Sequence, residues 1–83
     1  MSETLPPGWR NVDGHHLEKE FTFPDFAQGL AFVNRVGEVA EEMQHHPDIY
    51  LAWGKVRIQT WTHTVNGLTR KDFELADRIE KRQ

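Results

Sequence analysis

Apolar and polar residues alternate along two stretches of this chain, and each is followed by a segment of near-helical period. From Gly8-Trp9 the sequence reads as a strand that reaches Asp13-Gly14, a dipeptide favoured in tight hairpin turns. The return strand, about His15 to Phe23, puts Leu17, Lys19, Phe21 and Phe23 on one side. His16, Glu18, Glu20 and Thr22 fall on the other, and Lys19 interrupts an otherwise apolar face. Pro24-Asp25 then starts a helix, because proline suits the first turn and an aspartate there meets the positive end of the dipole. Phe26, Leu30, Val33, Gly37, Ala40 and Met43 recur at steps of three and four and predict one buried stripe, which Phe32 and Val36 broaden. Glu38, Glu41 and Glu42 lie outside it. The helix is about 20 residues long, and Pro47 stops it.

The second half repeats the plan. Ile49 to Trp53 predict a short strand, Gly54-Lys55 a turn, and Val56 to His63 a fourth strand. In that run Val56, Ile58, Thr60 and Thr62 alternate with Arg57, Gln59, Trp61 and His63. Thr69-Arg70-Lys71-Asp72 resembles a capping box, with Leu68 and Phe73 placed as a hydrophobic staple. Phe73, Ala76 and Ile79 then mark the buried side of a closing helix. The order ββαββα predicts an α+β fold, a four-stranded antiparallel sheet with the helices packed on one face. At 83 residues the chain is expected to form one domain spanning 1–83, with residues 1–7 as a loose lead-in.

Composition narrows the class. The net charge is −3, and the basic residues are scattered among acidic ones, so no footprint for nucleic acid or an anionic membrane is expected. With no cysteine, disulfides and thiol chemistry are excluded. Met1 to Pro7 lacks the basic start and apolar run of a signal peptide, and no stretch is apolar enough to span a membrane. A cytoplasmic location is the default expectation.

The candidate chemistry lies in the histidines. His45 and His46 precede Pro47, and two accounts of them stand side by side. Polar or cationic side chains suit a helix C-terminus; imidazole also exchanges protons near neutral pH, and Pro47 would hold His46 in one orientation. His63 is either an edge histidine or a third member of the same site. Asp72 serves as the acidic member of the cap, and could also orient an imidazole. Glu41 sits one turn before His45, either as an exposed helix pair or as a carboxylate acting on His45. Trp9 and Trp61 are core or edge aromatics that could also wall a flat ligand, and His15 and His16 are expected to be solvated. A zinc site is not expected: H-E-x-x-H is absent, and adjacent side chains diverge.

Glu41 through Pro47, then Thr62-His63, then Gly67-Leu68-Thr69 with Asp72, resemble the motifs of the pterin-4a-carbinolamine dehydratase family. The likeness runs from Gly8-Trp9 through the last helix. It implies a dehydratase that converts 4a-hydroxytetrahydropterin to quinonoid dihydropterin and water, in tetrahydrobiopterin-type cofactor recycling, with no cofactor and no metal. By position, His45 and His63 match the general acids, and His46 the histidine that binds and orients the ring. Asp72 matches the acidic residue near His63, and Glu41 the one ahead of the paired histidines. Pro47, Thr62 and Trp9 complete the implied substrate contacts. Relatives commonly carry a helix ahead of the Gly-Trp pair; here only Met1 to Pro7 precedes it, so that helix is expected to be missing. The resemblance also implies a homodimer or homotetramer, and it leaves a second class open: a dimerisation or transcriptional coactivator-type binding module on the same fold.

Overall fold

A computed structural model describes residues 5–82. The elements are β1 (Arg10–Val12), β2 (His16–Thr22), α1 (Phe26–Met43), β3 (Asp48–Ala52), β4 (Lys55–Thr60) and α2 (Arg70–Lys81), in the expected order. The first hairpin turns on Asp13 and Gly14, whose φ angles of 57° and 68° are the left-handed pair that matches strand twist. All pairings are antiparallel, in the spatial order β1-β2-β4-β3. The central pair aligns Leu17 with Thr60, Lys19 with Ile58 and Phe21 with Val56.

Period-two alternation sorts the sheet's faces as the sequence predicts. Leu17, Phe21, Val56 and Ile58 meet Phe32, Val36 and Val39 of α1 and Leu75, Ala76 and Ile79 of α2 in one apolar cluster. On the other face Arg57 pairs with Glu20, and Gln59 donates to Glu18. Both helices therefore cover one face. Lys19 fits that face because it lies at its rim, where Nζ meets Glu80 at 2.6 Å and sits 4.6 Å from the centre of the Phe21 ring.

Several boundaries and one helix face differ from expectation. In α1 the buried line runs through Gly29, Phe32, Val36, Val39 and Ala40, while Phe26 and Leu30 are 43% and 42% exposed. The helix lies close on the sheet at Gly29, where an added Cβ would lie 3.3 Å from Leu51 Cδ1. Phe32 then packs against the rings of Phe21 and Phe23, at centroid distances of 4.6 and 5.3 Å. A glycine carries no hydrophobic signal, so the pattern points one step around the helix.

The helix also ends early. Gln44 adopts a left-handed conformation (φ 53°), and the His45 N–H bonds back to the Ala40 carbonyl at 3.1 Å. His45, His46 and Pro47 thus lie beyond the cap. β4 stops at Thr60, because residues 62–67 close on themselves through a bridge between Thr62 and Gly67. The lead-in is tied down where described: Leu5 packs on the core, and the Pro7 carbonyl accepts from Lys19. Its residues 1–4 lie outside the described residues. None of the described helices is long and apolar enough to cross a membrane.

Phe32, fully buried between two other aromatic rings, is the test of this core. Phe32→Ala is expected to cost about 3–5 kcal/mol in urea unfolding, most of the stability of a domain this size. A loss below about 1 kcal/mol would mean that the core is centred elsewhere.

Candidate active site

Asp72 is fully buried at the third position of α2, where a carboxylate closes the helix start by accepting the Thr69 N–H at 3.0 Å. That uses a fraction of its capacity. Oδ1 also accepts from His45 Nε2 at 2.6 Å and Thr60 Oγ1 at 2.7 Å, and Oδ2 accepts from Thr62 Oγ1 at 2.9 Å. Because the Thr62 hydroxyl donates to Asp72, the contact of 2.7 Å between Thr62 and Thr69 is made by the Thr69 hydroxyl donating. Burial pushes the Asp72 carboxyl up, but the bonds from His45, Thr69, Thr60 and Thr62 outweigh it and hold it below its ordinary value. Asp72 is therefore a carboxylate, and His45 Nε2 is the donor.

Asp72 was expected beside His63; it holds His45 instead. The early end of α1 explains the exchange. The left-handed Gln44 turns the chain so that the His45 side chain swings inward under α2, leaving it 9% exposed. With Nε2 committed to the carboxylate, the tautomer is fixed and Nδ1 is the nitrogen left for chemistry. His46 diverges, as adjacent side chains do, and its Nε2 meets Glu41 Oε2 at 2.6 Å on the surface. Glu41 thus serves His46, not His45.

His63 sits in the turn formed by 62–67 and not on a strand. Its ring stacks on Trp61 at 4.7 Å between centroids and 22° between planes, since the two residues share one side of the chain. A cleft of about 350 Å³ brings the pieces together, lined by His45, His46, Trp61, Thr62 and His63 with Gln44, Thr64 and Lys71. Four predicted site residues, His45, His46, Thr62 and His63, line this cleft, and Asp72 stands directly behind it. Trp61 also lines it.

Other predicted residues are elsewhere. Trp9 is 6% exposed in the core, with its ring edge-on to Phe21 and Nε1 donating to Glu80 at 2.8 Å. It is not among the lining residues, and Trp61 is the indole that is. Pro47 and Glu41 line a separate, wider groove between α1 and β3, which shares only His46 with the histidine cleft. His45 and His63 line only the smaller cleft, and His46 lines both. Among the described residues no group of three or more metal-ligating side chains is found.

An α+β domain of this architecture has parallels of known structure. One is a Brucella melitensis protein described as a transcriptional coactivator/pterin dehydratase, with a TM-score of 0.84 and 32% identity over 90% of this chain and 81% of that one. A second, a pterin dehydratase-like protein described as a RuBisCO assembly factor in the alpha-carboxysome, has a TM-score of 0.74 and 26% identity. It covers 89% of this chain and 87% of that one. Residues 1–82 match the model of the pterin 4 alpha carbinolamine dehydratase family, and the chain belongs to that family. A Rubrobacter xylanophilus protein provisionally named pterin-4-alpha-carbinolamine dehydratase is 51% identical over 75 residues, 90% of this chain and 70% of the relative. One from Alkaliphilus metalliredigens, named the same way, is 44% identical over 90% of this chain and 68% of the relative.

The lowered carboxyl of Asp72 sets a pH test. A group whose folded-state value is depressed contributes stability above its unfolded value, about 3.9, and loses it as pH falls through the folded value. Asp72→Asn is expected to cost about 1–3 kcal/mol at pH 7 in urea unfolding, and the gap to the native chain should shrink as pH falls below about 4. A gap of equal size at both ends of that range would show that the charge contributes nothing.

Proposed function

We propose that this chain is a hydro-lyase that dehydrates 4a-hydroxytetrahydropterin to quinonoid dihydropterin, as part of tetrahydrobiopterin-type cofactor recycling. The observation that carries the reading is the meeting of His45, His46 and His63, drawn from two separate segments, in one cleft with a buried carboxylate fixing His45. Family membership supports the substrate class.

The chemistry asks little beyond placed protons. The carbon–oxygen bond at C4a breaks as the neighbouring ring nitrogen pushes its electron pair toward that carbon. The hydroxyl is a poor leaving group unless it is protonated as it departs. A positioned general acid is thus the main requirement, worth on the order of 10² to 10⁴ in rate. The ring nitrogen then sheds its proton, so one proton is consumed and one released. His63 and His45 take the acid roles. With Nε2 held by Asp72, a protonated His45 directs Nδ1–H as its remaining donor. His46 orients the ring, and Glu41 fixes His46 in turn. No step calls for a metal or a cofactor.

The described residues share one apolar cluster, which supports reading 1–83 as one domain. A homodimer or homotetramer is part of the proposal: β3 is an edge strand of the sheet, and Tyr50 on it is 51% exposed. A cytoplasmic location accords with this role. The binding-module alternative draws on the description of the Brucella structure, but binding alone would not require an oriented imidazole.

The test uses purified protein and chemically generated 4a-hydroxytetrahydropterin, with quinonoid product followed by absorbance. Replacing His45 by glutamine, whose amide can still donate to Asp72, and His63 by alanine is expected to lower the rate on the order of 10² to 10⁴ while circular dichroism stays native. Full rate in that variant would defeat the acid-catalysis assignment.

A further inference from the structure

His15 and His16, expected to be solvated, are partly buried beside the cleft. The first hairpin brings them alongside the end of β4, where both rings contact Trp61 at centroid distances of 5.1 and 6.1 Å. They also meet each other, Nδ1 to Nδ1, at 3.0 Å. Such a contact holds one proton between two ring nitrogens, with one ring donating and the other accepting. The far ends are held as well. His15 Nε2 lies 3.2 Å from Asn66 Oδ1, inside the turn that carries His63, and His16 Nε2 lies 3.6 Å from Glu18 Oε1. Glu18 is tied to Gln59 and Arg10. Three imidazoles therefore pack around one indole, and only one of them, His63, lines the cleft.

His63 has little else to hold it. Among the described residues its ring has no carboxylate and no hydrogen-bond partner, in contrast to His45 and His46. The stack on Trp61 is what orients it. Trp61 in turn cannot swing across the outer face of the sheet while His15 and His16 occupy that side. Asn66 links His15 to the turn on which His63 sits, so the brace touches both the ring and its backbone.

We propose that Trp61, buttressed by His15 and His16, is a positioning residue for His63, and that His15 acts on the site without touching the substrate. This rests on the dehydratase reading for its kinetic consequence but not for its structural one. A merely space-filling Trp61 would act on substrate affinity, because it lines the cleft. A positioning role acts on the chemical step, where misplacing an acid costs up to about 10²-fold.

The experiment has two arms. In ligand-free protein, the His63 Cε1–H signal is read by NMR, since a ring stacked on an indole is shifted upfield. The shift is expected in the native chain, retained in part in Trp61→Phe, lost in Trp61→Ala and reduced in His15→Ala. In the pterin assay Trp61→Ala should lower kcat on the order of 10-fold to 10²-fold with a smaller change in KM, and Trp61→Phe should restore much of it. His15→Ala should lower kcat and leave KM unchanged. An unshifted His63 signal in the native chain overturns the proposal, as does a Trp61→Ala or His15→Ala variant with native kcat. If the native chain shows the upfield signal and no dehydration, the brace stands and the dehydratase reading falls.

Discussion

A single buried carboxylate ties this fold to its site. Among the described residues no lysine or arginine forms an ion pair with Asp72, so its charge depends on donors from four places: the start of α2, the last residue of β4, the bridge at Thr62 and the segment after α1. A buried charge left short of partners costs several kcal/mol, whereas one with every oxygen occupied is tolerated. Among the described residues no buried side-chain polar atom lacks a partner. The same four bonds that start a helix and pin a strand end also fix one imidazole. Fold and candidate chemistry are thus parts of one interaction.

Where that interaction was visible in the sequence follows from its range. The Thr69 to Asp72 spacing announces a cap, because that contact spans three residues and needs no tertiary information. Parity along the predicted fourth strand, Val56 to His63, likewise sorts Thr60 inward and Trp61 and His63 outward. The partner of Asp72 lies 27 residues away, and the choice between His45 and His63 turns on the backbone of Gln44. A left-handed non-glycine residue at a helix end leaves little trace in composition. The proline three residues on gave the stronger signal and drew the predicted helix end too far.

The buried face of α1 departs from the periodic pattern for a related reason. The periodic pattern ran through Phe26 and Leu30, but the helix is turned so that Gly29 meets Leu51 and Val56. Close approach is decided by the missing side chain, which carries no hydrophobic weight. Trp9 and Trp61 show the limit of reading aromatics one at a time. Both could wall a pocket, and only position relative to Glu80 or to the histidine cleft separates them.

The imidazoles of the cleft are held with unequal stringency. His45 is locked by a buried carboxylate, His46 by an exposed one, and His63 by stacking alone. A carboxylate fixes a ring well, but it also engages one nitrogen and competes for the proton that a general acid must deliver. Stacking fixes the plane and leaves both nitrogens of His63 uncommitted among the described residues. For the two acids of the proposed mechanism the holders therefore differ in effect: the indole leaves His63 free to exchange a proton at either nitrogen, while the carboxylate directs exchange at His45 to Nδ1.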